Sequence, residues 1–304
     1  MSLATLSRSW FLRLAAGALL PLIGLRLSAD AVAETKNAAA PGRMGTILVN
    51  QFGRVKIHSY LSPAEGLQVN TQMIEGPNAV VIFDGQLLLP YADEVASYVV
   101  TIGKPVDRII LSHAHTDHWG GLQVLTERFP DVRVFALGGV ADQIRAGGPA
   151  RLDRLRRNYG DKAAAKVTAP TEIITEGLQR IDGIAYDFKR FVDAESDLQL
   201  AALLLVYSPK QHAFTGGNHF DQWIIILETL KALQGYETII IGHDTPVDRS
   251  AIDSTITYVK RAKAIRSVSA DAKTYSKSLK AAFPDLQLAG FVDLSASYLY
   301  PAPQ

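Results

Sequence analysis

The chain has 304 residues, is 48% hydrophobic and 20% charged, and carries a formal net charge of +1. That balance supports an ordinary globular core and excludes a global field that would recruit nucleic acid or an anionic membrane surface. With no cysteine, disulfides, thiolate nucleophiles and thiolate metal ligands are excluded, so any metal is held by nitrogen and oxygen.

Residues 1–33 read as a secretory signal peptide. Arg8 and Arg13 precede an apolar run from Leu14 to Leu25, and Ala31-Val32-Ala33 offers cleavage near Ala33. The run, about a dozen residues, is too short for a permanent span. A periplasmic or secreted protein with no stable membrane anchor is therefore expected. Residues 34–45 read as a polar linker, and 46–304 as one α/β domain with a C-terminal helical extension.

The β-branched runs RVKIHSYL, VNTQMIE and NAVVIFDG, separated by Gly, Pro and Asn, read as antiparallel strands. PYADEVASYVVTIG follows as a helix, with Pro90 at its start and Gly103 past its end. DRIILS is a short strand, GGLQVLTERFP a helix stopped by Pro130, and VRVFAL another strand. A long polar helical stretch runs from Gly138, strands return at GIAYDFKRF and LQLAALLLVY, and FDQWIIILETLKALQGY is a helix before the strand TIIIGHD. Residues 250–283 read as one closing helix.

The stretch HAHTDH places three of the chain's seven histidines, with an aspartate, in six positions at the end of the strand DRIILS. In an extended segment alternate side chains share a face, so His113 and His115 converge on one point. Asp117 and His118, where the chain turns toward Gly120-Gly121, aim at a second point. Imidazole and carboxylate suit zinc, with iron or manganese as alternatives.

HAHTDH resembles the HxHxDH signature of the metallo-β-lactamase fold superfamily, whose members are mostly binuclear metallohydrolases. NAVVIFDG resembles the family strand that ends in an aspartate supporting the metal loop, here Asp84. TIIIGHD resembles the late strand whose histidine, here His243, binds the second metal. The resemblance implies a four-layer αββα sandwich, a metal set of His113, His115, Asp117, His118 and His243, one or two zinc ions, and Asp117 as the catalytic group orienting water.

Two departures matter. The family's third ligand of the first metal is a histidine, but no histidine lies between His118 and His212. Its place falls in FVDAESDLQL, which is similar to the alkyl-sulfatase branch with a glutamate there, so Glu195 is expected as a ligand, with Asp193 and Asp197 as rivals. The bridging acid is replaced by Gly217, for which Asn218, His219 or Asp221 can substitute only if the local path differs.

Elsewhere, His58 reads as structural, His212 as a solvent-exposed hairpin residue, and Trp119 as a pocket wall or packing residue. Arg145, Arg151, Arg154, Arg156 and Arg157 read as a solvated helix face with an Asp153–Arg157 pair; the alternative is a site for an anionic substrate group. The expected activity is hydrolysis of an ester, lactone or sulfate ester of a small molecule. The alternatives are a degenerate, non-catalytic metal-binding member and, with less support, a nucleic-acid-processing one; no nucleic-acid partner is expected.

Overall fold

A computed structural model describes residues 33–37, 43–194, 198–200, 206–233 and 238–301. Eight strands form one mixed sheet in sequential order: β1 (Ala33–Asn37), β2 (Thr46–Phe52), β3 (Val55–Leu61), β4 (Asn70–Glu75), β5 (Val80–Phe83), β6 (Val106–Ile110), β7 (Arg133–Ala136) and β8 (Glu172–Ile173). The stretch read as linker thus contributes an edge strand, with Ala33 opposite Gln51 and Asn37 opposite Ile47. The signal-peptide reading falls almost wholly outside the described residues.

The sheet changes character at β5. It pairs antiparallel with β4 and parallel with β6, and β6 and β7 continue parallel. All four residues of β5 are buried, as a strand covered on both faces requires. Parallel neighbours end on the same side, so β5 and β6 deliver Asp84 and the HAHTDH segment to one edge, where α/β sheets bind ligands.

Helices fill the crossovers. In α1 (Leu89–Ile102), Tyr91, Ala92, Val95, Ala96 and Val99 form the buried stripe. Pro90 opens it, and Gly103 closes it with φ 73°, a conformation that favours glycine. Then come α2 (Thr116–Trp119), α3 (Leu122–Arg128) and the 22-residue α4 (Gly138–Tyr159).

The second half contains short two-stranded ladders: β9 (Gly177–Ile181) with β10 (Ile184–Phe188), β11 (Arg190–Val192) with β12 (Leu198–Leu200), and β13 (Thr238–Ile239) with β14 (Val247–Asp248). Around them lie α5 (Phe220–Ala232), α6 (Ser250–Val268), α7 (Ala272–Ala282) and α8 (Ala289–Leu299). The single closing helix expected from sequence is two, because the Asp271 carboxylate accepts from Thr274 N–H at 2.7 Å and starts a new helix.

Two hydrophobic cores result. One gathers the large sheet with α1, α3 and α4; the other gathers α5 to α8 around Trp223, Tyr258 and Tyr275. Leu67 packs against both. Among the described residues no helix is long and apolar enough to cross a membrane.

Candidate metal centre

The centre lies where these cores meet. Asp84, at the end of β5, has φ 64°, a left-handed conformation that Asp tolerates better than most side chains. Its Oδ1 accepts from Ser112 N–H at 2.8 Å and its Oδ2 accepts from His118 Nδ1 at 2.8 Å. The chain between is held close, with Gly85 N–H on His118 O at 2.6 Å and Gly121 N–H on Gln86 O at 2.8 Å. Both glycines after the motif are required: a Cβ on Gly120 would stand 2.4 Å from Leu87 O, and one on Gly121 2.3 Å from Gly85 O.

Three histidines take the same tautomer, set by their partners. The carboxylate of Asp84 can only accept, so His118 carries its proton on Nδ1. The Ser112 hydroxyl donates to Asp84 at 2.8 Å, so its oxygen accepts from His113 Nδ1 at 3.0 Å. The Leu67 carbonyl accepts from His243 Nδ1 at 2.8 Å. In the neutral form of each ring the lone pair is left on Nε2, the arrangement that prepares an imidazole to bind a metal.

Asp117, His118 and His243 converge. Their ligand atoms all lie within 4.8 Å of one another, and Asp117 Oδ2 is 3.4 Å from both His118 Nε2 and His243 Nε2. Two ligand atoms on one tetrahedral zinc stand roughly 3.3 Å apart. His118 Nε2 is buried and makes no hydrogen bond among the described residues, an orphan that a cation would satisfy.

Charge fits as well. Burial alone would lower the His118 imidazole, but the charges of Asp117 and Asp84 outweigh it and hold it well above its ordinary value. Burial likewise opposes ionisation of Asp117, yet His118, His243 and His115 hold its carboxyl well below the usual range. Two carboxylates around one imidazole favour a cation at its Nε2: a second proton when no metal is bound, which a divalent metal held by the same donors would displace.

His113 and His115 lie side by side, ring centroids 4.4 Å apart, with His113 also 4.4 Å from the His118 ring. Their expected partner Glu195 lies outside the described residues, as does Asp197. Asp193 is exposed and 4.0 Å from His219. Of the candidates to replace the missing bridge, Asn218 is exposed and Asp221 pairs with Lys263; none of Asn218, His219 and Asp221 belongs to a metal-ligand group among the described residues.

Several readings change. Trp119 is 1% exposed and packs, its Nε1 donating to Ala114 O at 3.0 Å. His212 is not exposed but 1% accessible and bonded to the Tyr258 hydroxyl at 3.0 Å, because the segment after the turn tucks under α6. His58 is structural, as read. The Asp153–Arg157 pair does not form among the described residues, and Arg151 turns inward. Sequence reasoning missed Leu67 and Asn70, which act on the His243 loop: Asn70 N–H donates to Gly242 O at 2.8 Å and its side-chain amide to Ile241 O at 3.1 Å. A backbone carbonyl has no sequence signal. Phe214 and Phe291 were also missed; their rings lie 5.3 Å from His115 and 5.1 Å from His243, both edge-on.

An α/β fold with a histidine and aspartate cage at the carboxyl edge of its sheet defines a metal-binding protein. Residues 64–158 match the model of the metallo-beta-lactamase superfamily. It is similar to the alkyl/aryl-sulfatase BDS1 of Saccharomyces cerevisiae, 28% identical over 218 residues that cover 61% of this chain and 32% of that protein. An uncharacterized Bacillus subtilis protein, YobT, is 38% identical over 66 residues, 22% of this chain and 28% of its own. The chain thus spans about a third of the length of the curated relatives it matches. Among solved structures, the DIM-1 metallo-beta-lactamase exposed to ceftazidime superposes with TM-score 0.54 at 13% identity, covering 71% of this chain and 97% of that one. A metallo-beta-lactamase from Pontibacter korlensis gives 0.51 at 16%, covering 70% and 99%. At such identities these structures establish the fold.

Proposed function

We propose that the protein is an exported metal-dependent hydrolase of a small ester, lactone or sulfate ester. The observation that carries this reading is the cage itself: His118 and His243 with Nε2 directed at the Asp117 carboxylate, 3.4 Å from each. His113, His115 and Glu195 would form the neighbouring subsite. A zinc ion held by these residues would supply Lewis acidity, the chemistry that makes water nucleophilic near neutral pH and polarises the oxygen of the bond to be cut. Asp117, kept ionised by its imidazole neighbours, would orient the attacking water by accepting a hydrogen bond from it. Asp84 and Leu67 fix the rings that hold the site. The relative described as an alkyl/aryl-sulfatase and the acidic loop at Glu195 favour sulfate esters within this set, and export rests on the signal-like residues 1–33.

The test is hydrolysis of nitrophenyl esters, lactones and nitrophenyl sulfate by zinc-loaded protein beside Asp117→Asn. Turnover by the wild type that drops at least about 100-fold in the variant supports the reading; equal rates in both, or none with full metal, refute it.

A second reading is a metal-binding member without turnover. Gly217 favours it, since neither exposed Asn218 nor Asp221, paired with Lys263, supplies the missing acid. Gain of hydrolysis in Gly217→Asp would identify a decayed site, and loss an adapted one.

A further inference from the structure

We infer that Arg151 is a positioning residue for the metal loop, fixing the peptide between His113 and His115 through the Ala114 carbonyl. The inference rests on the metal-binding reading of that loop, not on any substrate.

Ala114 separates two imidazoles, and its carbonyl receives two side-chain donors, Trp119 Nε1 at 3.0 Å and Arg151 Nη1. The two differ in what they anchor. Trp119 lies five residues on in the same loop, so its bond tightens the loop but moves with it. Arg151 arrives from α4, 37 residues away, and ties the loop to a separate helix. That carbonyl lies in the Ala114–His115 peptide plane, so holding it sets the approach of His115 directly and that of His113 through the single residue between them.

The sequence of α4 is built for this approach. A Cβ on Gly148 would stand 2.9 Å from Val167 and 3.4 Å from the Trp119 ring, so glycine lets the helix sit against the indole. Arg151 follows one turn later. Its exposed neighbours reach carboxylates: Arg145 pairs with Asp142 at 3.2 Å besides donating to Pro170 O at 2.8 Å, and Arg156 pairs with Asp161 at 3.7 Å. Arg151 is half-buried and pairs with no carboxylate of the described residues. A guanidinium withdrawn from water needs a strong acceptor, and among the described residues the Ala114 carbonyl is the one it has.

The experiment is cobalt(II) titration of the full-length chain, followed by visible absorption and elemental analysis, for wild type, Arg151→Met, Arg151→Lys and the outward-facing control Arg154→Met. Tight cobalt uptake by the wild type with at least one step weakened about 10- to 100-fold in Arg151→Met is expected, the range seen when groups orienting ligands are lost. The cobalt spectrum changes with it, Arg151→Lys partly recovers both, and Arg154→Met matches the wild type. If Arg151→Met fails to fold, Arg151→Lys carries the test alone, with a smaller weakening. Wild-type affinity and spectrum in the Arg151 variants that fold overturn the inference while leaving the hydrolase reading intact. An equal change in Arg154→Met also overturns it. A wild type that binds no cobalt overturns both.

Discussion

The Asp84 carboxylate accepts from His118 Nδ1 at 2.8 Å and from the Ser112 amide at 2.8 Å, so one side chain sets the tautomer of a ligand and the position of the strand end that bears the others. Asp84→Asn keeps a residue that tolerates the left-handed backbone but brings an amide N–H toward a ring N–H. Metal affinity should fall about 10- to 100-fold, measured by competition with a chromophoric chelator. Unchanged affinity would mean that the ring is oriented by something else.

Gly120 and Gly121 are fixed by backbone contacts under 2.5 Å to a would-be Cβ, and the neighbours are main-chain oxygens that cannot rotate away. Gly120→Ala or Gly121→Ala should each cost about 1–3 kcal/mol of stability as overpacking, read as a lower urea midpoint. Metal content should fall with it, since the same shift moves His118 from Asp84. An alanine accepted with an unchanged midpoint contradicts the packing.

Far from the centre, buried His58 donates from Nε2 to Glu75 at 3.0 Å and accepts from the Tyr98 hydroxyl at 2.8 Å. Burial holds the imidazole below its ordinary value of 6.5, against the pull of Glu75. The unfolded chain therefore binds the proton more readily, and stability is lost as pH falls below about 6.5. Partial burial pushes Glu75 up, but Lys104 and His58 hold it below its ordinary 4.5, which adds a further loss at lower pH. The urea midpoint should drop between pH 7 and pH 5, and drop less in His58→Gln. Equal slopes for the two proteins would assign the loss to other groups.

Phe291 on α8 stands edge-on to the His243 ring at 5.1 Å and is buried. Phe291→Ala should cost about 3–5 kcal/mol, seen as a lower melting temperature. If its role were packing alone, metal affinity at a temperature where the variant is folded would be unchanged; a weaker site is expected because the ring bounds one side of His243.

Much of this centre was legible. HAHTDH, the aspartate closing NAVVIFDG and the histidine of TIIIGHD stand at strand ends, where turn chemistry and ligand-type side chains are visible in one dimension. What escaped was contact across the fold. Leu67, with φ 61°, acts through its backbone carbonyl, which no residue type announces. Arg151 looks like its exposed neighbours because helical spacing says which face a residue shares, not what lies opposite. His212 looked exposed because a hairpin carries no sign of the helix that covers it. The break between α6 and α7 was readable in principle, from Asp271 three residues before Thr274, but the flanking apolar periodicity obscured it.

The loop bearing His243 is zipped onto the segment around Leu67 by Asp244 N–H on Gln68 O at 3.1 Å and Asn70 N–H on Gly242 O at 2.8 Å. Asp117 and His118 belong to the first half of the chain, yet their partner is made more than a hundred residues later. During synthesis the early half can bury its own core while the cage stays open on one side. The site is thus completed only when the second half docks, so metal capture reports the end of assembly rather than its beginning.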